Sequence, residues 1–126
     1  LSTYYQTHIK ILPKLKLKEI CLSALEDNKA ENILALDVRN ISTFADSIII
    51  ASANSNRHAK SMSEKVVASV KSKNKKSFLG VEGQSESGWI LIDCGEVVIN
   101  IMKSEIREFY DLEGLWGENT LAQKSE

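Results

Sequence analysis

Three aspartates, Asp37, Asp46 and Asp93, fall at or near the ends of apolar runs. Carboxylates so placed can hold divalent cations for phosphoryl or nucleotidyl transfer. That chemistry wants two carboxylates on one face of one strand, as a D-x-D or D-x-E pair. Asp111-Leu112-Glu113 is such a pair, but it lies in a segment with helical spacing, where residues two apart diverge by about 200° and do not face each other. The aspartates therefore read as polar strand ends and loops. Gly80-Val81-Glu82-Gly83 lacks the lysine and the following helix of a phosphate-binding loop. Neither His8 nor His58 has a Cys, Asp or Glu at metal-ligand spacing. Cys21 and Cys94 sit among apolar residues, a setting that keeps a thiol protonated and unreactive. The residues thus point away from an enzyme and call for no metal and no cofactor.

Charge is more telling. Residues 1–81 carry 13 basic and 7 acidic side chains, a net of +6, whereas residues 82–126 carry 10 acidic and 3 basic, a net of −7. The total of −1 hides this split. Lys71, Lys73, Lys75 and Lys76, with Arg57, Lys60 and Lys65 before them, could meet phosphates, although no aromatic side chains alternate with them to stack bases. A solvated helix end explains the same cluster. In the acidic half, Trp89 follows a polar loop, 84–88, and is flanked by Glu82, Glu86 and Asp93. A tryptophan in that company reads either as an interface anchor ringed by charge or as an ordinary core residue.

The elements that must position these residues follow from periodicity. Leu17, Ile20, Cys21, Ala24 and Leu25 form the stripe of an amphipathic helix that ends near Asn28 to Ala30. Residues 33–38 and 47–51 read as strands, and Ile48-Ile49-Ile50 implies burial on both faces. Asn54 or Ser55 can cap a second helix that faces Ala59, Met62, Val66 and Val70 inward, with Asn74 a candidate left-handed cap at its end. A strand over 77–81 leads to two further strands, 89–92 and 96–102, joined through Cys94-Gly95, where the glycine suits an antiparallel hairpin. Val97, Ile99 and Ile101 alternate with Val98, Asn100 and Met102, so the last strand belongs inside a sheet. Ile106, Phe109, Tyr110 and Leu112 (or Glu113) then take up one helical spacing.

The sum is a single α/β domain with one mixed β-sheet flanked by helices, spanning residues 15–116, with an N-terminal arm or leader at 1–14 and a disordered tail at 117–126. A chain of 126 residues is large enough to bury a core without a disulfide, and the two cysteines read as buried thiols of a reducing compartment. No apolar run approaches the ~20 residues of a membrane span, and the N-terminus lacks the features of a secretory signal, so a cytoplasmic protein is expected.

A series of short blocks follows along the chain: Leu36-Asp37-Val38, Ala45-Asp46, Ile50-Ala51-Ser52, Asn54-Ser55-Asn56-Arg57-His58, Val81-Glu82-Gly83, Gly88-Trp89, Leu91-Ile92-Asp93, Gly95-Glu96-Val97-Val98, Arg107, Tyr110-Asp111-Leu112-Glu113 and Leu115-Trp116. In that order and spacing the chain resembles the Iojap family of ribosomal silencing factors. The resemblance implies a nucleotidyltransferase-like fold without the catalytic carboxylates. It also implies binding to the large ribosomal subunit through its ribosomal protein fourteen, a steric block to joining with the small subunit, and repression of translation. Further expectations are minor contact with ribosomal RNA and homodimer formation through the sheet. By resemblance and charge, the partner surface would comprise Glu82, Gly83, Trp89, Leu91, Asp93 and Gly95. Asn100 stands where the family usually has histidine, and Cys94 where a larger apolar residue is common. The alternatives from other classes are a nucleotide-binding or nucleotidyltransferase-like enzyme and a nucleic-acid-binding module.

Overall fold

In the computed structural model the described residues are 16–83, 85–117 and 121–125. The expected arm at 1–14 lies outside them. Helix α1 (Leu17–Asp27) leads to strands β1 (Glu31–Asp37) and β2 (Ser47–Ala53), then to helix α2 (Asn56–Lys73) and a short 3-10 turn at Lys75–Ser77. Strands β3 (Gly80–Glu82), β4 (Trp89–Asp93) and β5 (Val97–Lys103) follow, then helices α3 (Ser104–Tyr110) and α4 (Leu112–Gly117) and strand β6 (Leu121–Ser125). The six strands form one mixed sheet in the order β3-β4-β5-β2-β1-β6. Only the central β2–β5 pair is parallel, with Ser47 opposite Val97 and Ala53 opposite Lys103.

The two central strands explain the layering. Every residue of β2 is buried, as is every residue of β5 but the last. Their apolar side chains therefore need cover on both sides. On one side Ile49, Ala51, Ile99 and Ile101 meet Leu17, Ile20, Cys21, Ala24 and Leu25 of α1 and Ala59, Met62, Val66 and Val70 of α2, the stripes expected from spacing. On the other side Leu34, Leu36, Ile48, Ile50, Val98 and Met102 are covered by Val38 and Ala45 and, more thinly, by Trp89, Leu91, Ile106, Leu112 and Trp116.

Local chemistry sets the ends. Ser55 caps α2, its Oγ accepting from the His58 backbone N–H at 3.0 Å. The imidazole then bridges outward: Nδ1 accepts from the Asn54 N–H at 3.0 Å and Nε2 lies 2.8 Å from the Asn28 carbonyl oxygen, tying the end of α1 to the start of α2. Gly95 has φ +74, and the turn it makes joins β4 and β5 as the expected antiparallel hairpin. Cys21 and Cys94 are both buried free thiols, and the interaction with Cys94 together with burial pushes the Cys21 thiol up.

Four expectations are corrected. The strand expected over 77–81 begins only at Gly80, because the 3-10 turn consumes Lys75–Ser77. Asn74 closes α2 at φ −156 and ψ 64, not in the left-handed region. The single last helix is two: Asp111 adopts φ 46 and ψ 55, its carboxylate accepts from the Gly114 N–H at 3.1 Å, and the chain restarts as α4. Phe109, on α3, is 78% exposed. Finally, the span read as a disordered tail contains β6, which completes its backbone hydrogen bonding along the free edge of β1, from Asp37 opposite Leu121 to Ile33 opposite Ser125.

Arg107 ties these layers together. Its Nη1 donates to the Asn32 carbonyl at 2.6 Å and to Ser52 Oγ at 2.9 Å, while its Nε donates to Glu113 Oε2 at 3.1 Å. One guanidinium thus joins α3 to the start of β1, the end of β2 and the first turn of α4. Because the Arg107 side chain is only 11% exposed, Arg107→Ala would strand three partners and is expected to cost about 2–3 kcal/mol. Urea unfolding would show this as a lowered midpoint, and Arg107→Lys should recover only part of it, having no fork with which to reach all three groups.

Candidate functional site

Glu82, Gly83, Trp89 and Leu91 come together at one end of the β3–β4 pair. With Ser87, Ile106 and Tyr110 they line a cleft of about 310 Å³. Alternation along β4 sends Ile90 and Ile92 into the α1–α2 side and turns Trp89 and Leu91 toward α3. There the indole is half-buried and fixed from three directions. Its Nε1 donates to Asn100 Oδ1 on β5 at 2.9 Å. Tyr110 packs against its ring with centroids 5.0 Å apart. Ser87 Oγ donates to the Trp89 carbonyl oxygen at 3.0 Å and accepts from the Trp89 N–H at 3.3 Å, holding the backbone.

Asp93 and Gly95 lie elsewhere. Asp93 ends β4, four residues and about 13 Å from Trp89, and its Oδ1 accepts from the N–H of Gly95 in the following turn at 2.9 Å, shaping the hairpin. Glu86 likewise opens into a neighbouring cleft beside Lys60 and Glu64, not into the tryptophan's. The ring of acids expected around Trp89 therefore reduces to Glu82 at its edge.

Gly83 has a steric reason to be glycine. Its φ is +86, and a Cβ built there would lie 2.4 Å from the Trp89 carbonyl oxygen. Close approach of the two backbones is what brings β3 against the tryptophan. Sequence reasoning missed Tyr110, Ile106 and Ser87 as parts of this cleft. Tyr110, at the end of α3, meets Trp89 only through the tertiary placement of that helix, which has no periodic signature. Asn100 was visible as a polar residue in an apolar strand, and at 4% exposure its side-chain oxygen receives the indole N–H.

The end of the sheet beyond Asp93 holds a wider, more polar cleft of about 600 Å³, bordered by Asp37, Arg39, Asp46 and Glu96 with Lys16 and Lys18. The structure does bring Asp37 and Asp46 to the same end. Asp37 is engaged, however: Arg39 donates to it from Nε at 2.9 and 3.1 Å and from its backbone N–H at 3.1 Å. Among the described residues no three His, Cys, Asp or Glu side chains gather as metal ligands.

Residues 12–126 match the family described as "Ribosomal silencing factor during starvation". The chain belongs to the ribosomal silencing factor family. A Bacillus subtilis ribosomal silencing factor, RsfS, is 35% identical over 104 residues, covering 82% of this chain and 87% of its own. A crystal structure of a Chromobacterium violaceum protein superposes with a TM-score of 0.78 at 30% identity, over 91% of this chain and 92% of the other. A mouse relative named "Mitochondrial assembly of ribosomal large subunit protein 1" is 31% identical over 100 residues, 78% of this chain and 44% of the mouse protein. The silencing factor resemblance carried by the sequence blocks is thereby established, and so is the α/β fold with its mixed sheet.

In this silencing factor domain, Gly83→Ala should strain the β3–β4 contact by about 2 kcal/mol and move Trp89, which a lowered melting temperature together with a shifted tryptophan emission would reveal. For Asp37, hydrogen bonds from the Arg39 side chain and backbone hold the carboxyl below its usual range. A lowered folded-state pKa stabilises the protein at neutral pH, and this is lost as the pH falls from the ordinary value of about 3.9 through the lowered one. Asp37→Asn should therefore lower the melting temperature slightly at pH 7 and make no difference in strong acid. An equal deficit at both would assign the effect to packing.

Proposed function

We propose that this chain binds the large ribosomal subunit at its ribosomal protein fourteen and represses translation by physically blocking the small subunit. The observation that carries the reading is the Trp89 cleft: a half-buried indole, pinned by Asn100 and Tyr110 and edged by Glu82 in the acidic half of the chain. Such an aromatic is pre-ordered, so it loses little entropy on docking, and an acidic edge suits a basic ribosomal protein. Membership of the silencing family and the mouse relative's name favour a large-subunit partner. Asp93 and Gly95 would extend the contact along β4 to its far end. Two copies would pair through the sheet at high concentration, where β3 is an edge strand.

Exclusion needs no chemistry. A domain of this size has a radius of gyration of about 14 Å and so a diameter of roughly 35 Å, far wider than the separation of docked macromolecular surfaces. A standard interface of ~800 Å² per partner supports the affinity required. In a purified system the protein added before mixing subunits should suppress joining to a stoichiometric plateau and should do little to joined ribosomes. Inactivation by a trace amount would show catalysis instead. Trp89→Ala is expected to weaken large-subunit binding about thirtyfold, ~2 kcal/mol, while Glu86→Ala changes it little. Unchanged binding with a lowered melting temperature would make Trp89 a core residue and remove it from the interface.

A further inference from the structure

The polar cleft at the far end of the sheet from Trp89 has no part in the ribosomal contact. Its floor is one row of residues on neighbouring strands: Asp37 ends β1 opposite Ser47, which begins β2 opposite Val97 of β5. This row lies about 17 Å along β5 from the pairing of Met102 with Trp89, at about 3.3 Å per residue. Ser47 and Val97 alternate in step with Ile49, Ala51, Ile99 and Ile101, so the floor faces the side that carries α1 and α2. There the first turn of α1 and Asn74, which closes α2, form the walls. Backbone hydrogen bonds fix the frame. The N–H groups of Asp46 and Ser47 both donate to the Glu96 carbonyl, at 2.8 and 3.0 Å, and the Val38 N–H donates to the Asp46 carbonyl at 2.9 Å.

Two independent features of this frame call for a ligand. The first is the Ser47 hydroxyl. Ser47 is only 9% exposed and borders the cleft, yet its side chain has no hydrogen-bond partner among the described residues, whereas buried hydroxyls are ordinarily paired. The second is the start of α1, an eleven-residue helix. Its N-cap, Lys16, makes no side-chain capping bond, so the first N–H groups stand beside the cleft without a side-chain acceptor. A positive helix end flanked by a lysine is a seat for an anion.

Charge limits what that anion can be. Arg39 neutralises Asp37, which leaves Lys16 and Lys18 facing Glu19, Asp46 and Glu96, two cations against three carboxylates. A dianion such as a phosphate monoester would be drawn to the helix and repelled from the rest of the cleft. A molecule with a single carboxylate at one end and cations at the other suits both. Leu22 and Val97 offer apolar surface for the methylene groups between them.

We propose that this cleft binds a basic α-amino acid, its carboxylate accepting from the Ser47 hydroxyl and the start of α1 and its cationic nitrogens meeting Asp46 and Glu96. The site goes beyond the proposed function and shares no residue with the Trp89 cleft.

The test is calorimetric titration of the full chain with L-arginine and L-lysine, paired with amide chemical-shift mapping. Saturable binding tighter than about 1 mM is expected for at least one of them, with shifts at residues 16–19, 46–47 and 96–97. Agmatine, which is arginine without its carboxylate, should bind more weakly by about tenfold or more. Ser47→Ala should weaken amino-acid binding about tenfold, as for one hydrogen bond to a charged group. It should leave the melting temperature unchanged, because in the free protein the hydroxyl has no partner to lose. Glu96→Gln, at the exposed rim, should weaken binding by a similar factor. Absence of saturable heat with both amino acids overturns the proposal, as do equal binding of agmatine, tighter binding of ribose phosphate, shifts centred on Trp89, or full affinity in the Ser47→Ala and Glu96→Gln variants.

Discussion

Burial of β2 and β5 on both faces is the constraint from which the rest of the molecule follows. Two adjacent strands with apolar residues pointing both ways must be sandwiched, and the chain supplies unequal layers. The long helices α1 and α2 cover one face completely. The other receives only two short helices, α3 and α4, and the segment between β1 and β2, in which Phe44 meets Trp116 edge-on at 6.4 Å. A thin layer cannot close over the whole face. What it leaves open, beside β4, is the cleft that contains Trp89.

The thin layer is therefore held by polar ties where the thick one is held by packing. Arg107 fastens α3 and α4 to the ends of β1 and β2, and the Asn100 amide fastens the indole to β5. Hydrogen bonds to charged or buried groups are directional and lose most of their value when one partner shifts. Such ties fix the shape of the open cleft without filling it. That is a useful division for a surface that must be ready for a partner, since side chains ordered beforehand are not ordered again at the cost of affinity.

Much of this was legible in the sequence because it rests on periodicity. The inward faces of α1 and α2, the double burial of Ile48-Ile49-Ile50, the Ser55 cap and the Gly95 hairpin each have a local signal, and each is present in the fold. The cleft was half legible. Trp89, Leu91, Glu82 and Gly83 could be grouped because β3 and β4 are neighbours in sequence as well as in space. Tyr110 and Asn100 could not, because their meeting with Trp89 depends on how α3 lies over the sheet and on strand register. The same limit separates Asp93 and Gly95 from the tryptophan: sequence proximity placed them together, and the straightness of a strand holds them apart. The 117–126 span misled for a different reason, since an edge strand with polar residues carries no alternation strong enough to announce itself.

The parallel β2–β5 seam has a consequence for how the chain reaches this state. Within the five strands before β6, pairing on either side of it is short-range: β1 with β2 across one loop, and β3, β4 and β5 in succession, while β6 adds to the outer edge of β1 from far along the chain. The seam alone joins residues 47–53 to residues 97–103, fifty positions apart. Closing that interval takes more chain entropy than forming either hairpin, so the hairpins come first and their union is the slow event. The centre of the sheet thus assembles as two preformed halves that zip along one line, with β6 added at the outer edge of β1. Both apolar faces of β2 and β5 stay open to wrong partners until the zipping is complete.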